Sequence, residues 1–153
     1  LINLEWAQPG NGEHLVFPAK ADLDDGAGHA LVTAYALQRP DGQTSLLIVN
    51  RDQQNSHQVR ISFQDQIKHT EDAFAGPVQI LTFGSDQYHW QPAETRFMAH
   101  SEHAGERPIV TNTKGFADPD GPIKHSEENA AKDTSFDLPA ASVTVIRGKI
   151  SQN

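Results

Sequence analysis

The chain has 153 residues, a net charge of −8, an isoelectric point near 5.3 and no cysteine. That length suits one domain with a core of its own, and the missing cysteines exclude a disulfide framework and a thiolate metal site. The acidic balance argues against a nucleic-acid or anionic-membrane partner, since both need a basic footprint, and no apolar run is long enough to span a bilayer as a helix.

The compartment stays open, because exported bacterial proteins also do without cysteine. The chain begins Leu-Ile-Asn with no methionine and no signal peptide, so it is expected to be a piece of something larger.

Leu1–Trp6 (LINLEW) reads as a short strand, and the Pro, Gly and Asn content of Ala7–Glu13 as a turn. His14–Phe17 (HLVF) is a second strand, stopped by Pro18. Ala21–His29 is an acidic, glycine-containing loop. Its aspartates Asp22, Asp24 and Asp25 invite a calcium reading, but Leu23 and Asp25 break the alternation that a calcium loop needs. A solvated turn is expected there, and no metal is assigned.

Leu31 to Phe63 is the best-patterned stretch. Leu31–Gln38, Leu46–Val49 and His57–Phe63 are strand-like runs separated by turn-rich breaks, which predicts an antiparallel meander. Pro40-Asp41-Gly42 supplies the first turn: proline presets φ, aspartate bonds the backbone ahead, and glycine takes φ > 0. In the third run Val59, Ile61 and Phe63 alternate with Gln58, Arg60 and Ser62, as in a half-buried strand.

Gln64–Gly76 is polar and reads as a turn of helix at most. Pro77–Phe83 is another strand, and Asp86–Trp90 follows a Gly-Ser break. From Ala93 to Asp133 the signal fades, with Ile109 and Val110 suggesting a brief strand. A long irregular loop is therefore expected over 93–133. Its large apolar residues, Phe97, Met98, Ile109, Val110, Phe116 and Ile123, are spread thinly. Ordering roughly forty residues costs about 1–2 kcal/mol of backbone entropy each, so a partner surface is expected to order the loop. Ser135–Leu138, a bend at Pro139-Ala140-Ala141, and Ser142–Ile146 close the chain as two strands.

The fold expected is an all-β antiparallel β-sandwich of about seven to nine strands with one long irregular loop. Its core should include Val32, Ala34, Leu46, Ile48, Val59, Ile61, Phe63, Ile80, Val143 and Val145.

Chemistry is sparse. Glu5 at the end of a strand resembles a glycosidase nucleophile, but that reaction needs two carboxyl groups flanking one bond and nothing marks the second. His100 and His103 lack a third metal ligand, and surface histidines are the simpler reading. Asp118-Pro119-Asp120-Gly121 reads as a turn. Tyr88, His89 and Trp90 form an aromatic cluster and are the candidates for carbohydrate contact, because a sugar ring stacks on an exposed aromatic. Burial in a core or interface is the commoner fate of such residues. No catalytic residue and no cofactor is assigned.

The runs LVTAYALQRPDGQTSLLIVNRD, FGSDQYHW, GFADPDGP and FDLPAASVTVIRG resemble, in this order, the C-terminal β-sandwich of glycoside hydrolases related to family 39. The opening LEWAQPGNGEHLVFPA is similar to the stretch that leads from the catalytic barrel of such enzymes into the sandwich. The resemblance covers most of the chain. It implies an accessory, non-catalytic domain whose partner is a (β/α)8 barrel carrying both catalytic glutamates. It also implies that residues 1–20 join the two, with Glu5, Trp6, His14 and Phe17 as barrel-interface candidates. No catalytic residue carries over, because the barrel motifs are absent. The segment between Trp90 and Gly115 is longer than the family pattern. The alternatives are a standalone carbohydrate-binding module and a structural or adhesive sandwich, and the oligomeric state is left open.

Overall fold

The structure is a computed structural model that describes residues 1–93, 95–98, 109–112, 114–119 and 121–151; at 89–90, 95–98, 109–112 and 117–119 it describes the backbone and not the side chains. By contacts the chain divides into two compact units, Leu1–Ser85 with Pro122–Asn153, and Asp86–Gly121.

The first unit is an antiparallel β-sandwich. Its strands are β1 (Leu15–Phe17), β2 (Val32–Gln38), β3 (Thr44–Asn50), β4 (His57–Arg60), β5 (Phe63–Asp65), β6 (Thr70–Asp72) and β7 (Phe74–Phe83). After the second unit come β12 (Lys124–Ala130), β13 (Ser135–Leu138) and β14 (Ser142–Ile150). The main sheet has six strands in the order β1-β2-β3-β14-β7-β12. The pairs β4/β13 and β5/β6 form separate ladders, and their apolar side chains lie on one face of the main sheet.

That face holds the larger core. Val32, Ala36, Leu46, Ile48, Val78 and Ile146 from the main sheet pack with Phe74, Phe136 and Leu138. Of the ten expected core residues, Val32, Leu46, Ile48 and Val145 are buried. Ala34, Val59, Ile61, Phe63, Ile80 and Val143 are partly buried and packed against the two apolar clusters. The second cluster lies on the opposite face, where Leu47, Leu81 and Val145 are covered by Leu1, Trp6 and Val143.

The meander is corrected at its third strand. β2 and β3 pair as the Pro40-Asp41-Gly42 turn predicts, with Gly42 at φ 79°. The next partner of β3, however, is β14. β4 crosses to the other layer and pairs with β13. The Asn50–Asn55 loop redirects it: buried Asn50 donates from Nδ2 to the carbonyls of Asn55 (3.0 Å), Leu138 (3.2 Å) and Pro139 (2.9 Å). The His57–Phe63 run also breaks into β4 and β5, because its alternation fixes which side is buried and not which strand lies alongside.

Three further expectations are corrected. Leu1–Trp6 is no strand; Ile2–Trp6 forms a short π-helical turn, closed by Trp6 N–H to Leu1 O (3.1 Å) and Ala7 N–H to Ile2 O (2.9 Å). Gln64–Gly76 holds the β5/β6 hairpin and the start of β7 in place of helix. Within the expected 93–133 loop, β12 is a strand of the main sheet, paired with β7 from Lys124↔Thr82 to Ala130↔Gly76. Lys124 to Asn129 are all exposed. An edge strand wet on both sides carries no apolar alternation, and its backbone ladder alone orders it. No partner surface is needed for that part.

The second unit contains two ladders. β8 (Tyr88–Gln91) pairs with β11 (Phe116–Pro119), and β9 (Thr95–Met98) pairs with β10 (Ile109–Asn112). The expected Asp118–Gly121 turn is therefore strand at Asp118 and Pro119.

Candidate functional site: the anchored N-terminal segment

Residues 1–8 lie across the outer face of the main sheet, and four polar contacts hold them there. Glu5 Oε2 is 2.6 Å from Arg147 Nη1. The Glu5 carbonyl accepts from Arg39 Nη1 and from Arg147 Nη1, the latter at 3.3 Å. Gln8 Oε1 accepts the Asp41 N–H at 2.9 Å.

Both arginines are themselves held. Arg39, 7% exposed, pairs with Asp41 Oδ2 at 3.2 Å. Arg147 donates from Nε to Gln79 Oε1 at 3.0 Å. The fold explains the meeting: Arg39 follows β2 at the turn, while Arg147 on β14 stands beside Gln79 of β7 in register. Below them the Trp6 ring covers Leu47, Leu81 and Val145.

This arrangement fixes what Glu5 can do. Its carboxylate is engaged by the Arg147 guanidinium, and no second carboxyl group faces it among the ion pairs and hydrogen bonds of the described residues. The site is an anchor. Arg39, Arg147 and Gln79 were not singled out by sequence reasoning. The available signal was an arginine directly after each of two mostly apolar runs, ALQR and VTVIR.

His14 lies just before β1, and its Nε2 accepts the Gln8 N–H at 3.0 Å. Phe17 lies on edge strand β1 and is 43% exposed. The exposed large apolar residues of this region, Ile2, Leu4, Leu15, Val16, Phe17 and Tyr35, lie on the N-terminal turn, on β1 and on neighbouring β2. Tyr88 opens β8 and is half-buried. The side chains of His89 and Trp90 lie outside the described residues, as do His100 and His103.

The acidic loop has a structural use. Asp24 Oδ1 accepts the Gly26 N–H (2.7 Å), and Asp25 accepts from Ala27 (2.8 Å) and His29 (3.0 Å). The His29 side chain, ahead of these backbone donors, holds the Asp25 carboxyl below its usual range. Among the described residues no group of three or more His, Cys, Asp or Glu side chains is placed to hold a metal.

Among the described residues Asp52 is the most strongly shifted acid. The Gln54 N–H, the Asn55 side chain and N–H, and His57 hold its pKa at about 2, against an ordinary 3.8, with desolvation opposing them. The Asp52 carbonyl also accepts the Ala141 N–H (2.8 Å), so this loop ties the β3–β4 crossing to the β13–β14 bend. A carboxyl whose folded pKa is depressed adds stability above its unfolded pKa, and that stability is lost as pH falls through the folded value. Asp52→Asn is therefore expected to lower the urea midpoint at neutral pH. The gap to the parent protein should close as pH drops from about 4 to about 2. A gap that stays constant across that range would mean that Asp52 is no source of acid sensitivity.

No family model matches this sequence, and no curated protein matches it. Among solved structures the chain is similar to a thermostable GH51 α-L-arabinofuranosidase from Thermotoga petrophila RKU-1. The identity is 14% and the TM-score 0.42, over 79% of this chain and 20% of that one. The chain thus spans about 20% of the length of that enzyme. It is also similar to a protein of unknown function (DUF1255) from Acinetobacter sp. ADP1, at 10% identity and a TM-score of 0.32, over 89% and 93% of the two chains. Likenesses at this level establish neither a family nor an activity.

Proposed function

We propose that this chain is an accessory, non-catalytic β-sandwich of a glycoside hydrolase, and that its N-terminal face packs against the catalytic barrel. One observation supports this most. On the segment that the sequence resemblance assigns to the barrel junction, Ile2, Leu4, Leu15, Val16 and Phe17 are all exposed, and Tyr35 is exposed on neighbouring β2. Large apolar residues left exposed in succession along one short segment mark an interaction site more often than isolated ones do. Glu5 and Trp6 would then serve the junction from below, by fixing the turn that carries Ile2 and Leu4. Phe17 and His14 flank it on the β1 side. Membership in family 39 rests on the sequence resemblance alone.

The barrel would hydrolyse O-glycosidic bonds with its own pair of carboxylates, and the sandwich would contribute surface and no reacting group. The purified chain is expected to turn over no aryl glycoside. Turnover that survives Glu5→Gln would reveal an active site elsewhere, and turnover lost in that variant would make Glu5 catalytic; either overturns the proposal. Retention on insoluble polysaccharide, abolished by Trp90→Ala, would favour a carbohydrate-binding module instead. The coding sequence upstream of Leu1 is the direct check. A catalytic-barrel sequence is expected there, and a signal peptide immediately before Leu1 would sink the accessory-domain reading.

A further inference from the structure

We propose that Asn11-Gly12 is a site of spontaneous deamidation, and that the isoaspartate formed there loosens the anchored N-terminal segment. The inference is independent of the glycosidase reading. The chemistry needs a side-chain amide, a following main-chain nitrogen able to reach it, and water. The Gly12 nitrogen attacks Asn11 Cγ, the C–N bond to the side-chain amide breaks, and ammonia leaves. The resulting succinimide is opened by water at either carbonyl, giving aspartate or isoaspartate at position 11. No oxidant or other reagent is required.

Three observations select this residue. Glycine follows Asn11, so no β-carbon shields the attacking nitrogen, and both residues are exposed. Gly10, at φ 125°, precedes it, so the asparagine sits between two glycines in an irregular loop. Among the described residues the Gly12 N–H has no hydrogen-bond acceptor.

Three other candidates among the described residues are restrained. In Asp25-Gly26 the glycine N–H donates to Asp24 Oδ1 at 2.7 Å, and the Asp25 carboxylate is held by His29. In Asp41-Gly42 the glycine N–H donates to the Arg39 carbonyl at 2.9 Å, and Asp41 is held by Arg39. Asn55-Ser56 has its amide bonded to Asp52, at 3.1 Å from Oδ2.

The consequence follows from what Asn11 connects. The loop from Gln8 to His14 is closed by the Gln8 N–H on His14 Nε2, and Gln8 Oε1 is in turn the acceptor for Asp41. Gly12 backs directly onto Pro40, where a β-carbon would lie 2.5 Å from Cγ. Isoaspartate routes the main chain through its own β-carbon, which inserts one backbone atom into this closed loop. It also adds a negative charge beside Glu13 in a chain already at −8. Both changes strain the Gln8 contacts while leaving the sandwich core untouched.

The test is incubation of the intact chain in mildly alkaline buffer made with heavy-oxygen water, followed by peptide mapping. Expected is a single early site at Asn11, with label incorporated and isoaspartate confirmed by isoaspartyl methyltransferase. Asn11→Gln should abolish it, and that variant avoids the Pro40 clash that Gly12→Ala would create. The isoaspartate fraction, separated by ion exchange, should show faster hydrogen exchange at the amides of Trp6 and Ala7. Asn11→Asp, which adds the charge without the extra backbone atom, should show less. Earlier modification at Asn55, Asp25 or Asp41, or an intact Asn11 under conditions that modify the denatured chain, would overturn the site. Unchanged exchange at Trp6 and Ala7 would overturn its coupling to the anchored segment.

Discussion

Phe74→Ala is expected to lower the unfolding free energy by about 3–5 kcal/mol, the range for deleting a buried phenylalanine. Phe74 is 2% exposed at the start of β7. Its ring meets Phe63 edge-on at 5.0 Å and Phe136 at 6.2 Å, so it touches both β5 and β13 from the main-sheet side. On its other side it lies against Gly148, where an added β-carbon would stand 3.4 Å from Cδ1. β-Strands closed on three sides relax little into a cavity, which puts the cost in the upper part of that range. Ile67→Ala is the control. Ile67 is 91% exposed at the β5–β6 turn and should change stability by no more than about 0.5 kcal/mol. Urea unfolding of the two variants decides the matter. Equal shifts would mean that the three-phenylalanine contact does not hold the two layers together.

The same residue shows what the sequence discloses and what it withholds. Phe74 sits in AFAGP, a run without alternation, because Gly76 at φ 77° and a register shift opposite Gly148 and Ile150 place a bulge there. Strands that bury apolar side chains were legible: the apolar alternation of β4, the apolar runs of β2 and β14 and the Pro-Asp-Gly turn are written in residue type. β12 was not, since KHSEEN has no dry face to mark. Pairing partners were hidden as well, because the Val59 alternation fits any neighbour and the crossing depends on Asn50, a single polar residue. At the candidate site, Glu5, Trp6, His14 and Phe17 entered through the family resemblance. The arginines that anchor Glu5 come from positions 39 and 147, and proximity across the sheet leaves no local sequence pattern.

Arg147→Met is expected to destabilise the chain by about 1–3 kcal/mol, and to do so through the N-terminal segment. Loss of one partner from a fully buried ion pair costs about 3–5 kcal/mol, because the other charge is left unpaired. Here the side chains of Arg147 and Glu5 are 16% and 27% exposed, so water reaches Glu5 and the cost is discounted toward the surface range. Glu5→Gln should cost less, since Gln can still accept from Arg147 and the Glu5 carbonyl bonds to Arg39 and Arg147 remain. The double variant separates the pair from its surroundings. With the charge gone on both sides no ion is stranded, so the two single effects should exceed the combined one by about 0.5–2 kcal/mol. Tryptophan fluorescence in a Trp90→Phe background reports Trp6 alone and locates the effect. In Arg147→Met its emission should move toward that of solvated indole while the denaturant slope stays near the parent value, because the sandwich core is unchanged. Strict additivity of the two substitutions, or a Trp6 signal indifferent to Arg147, would show that apolar contact with Leu47, Leu81 and Val145 holds the segment and that the ion pair does not.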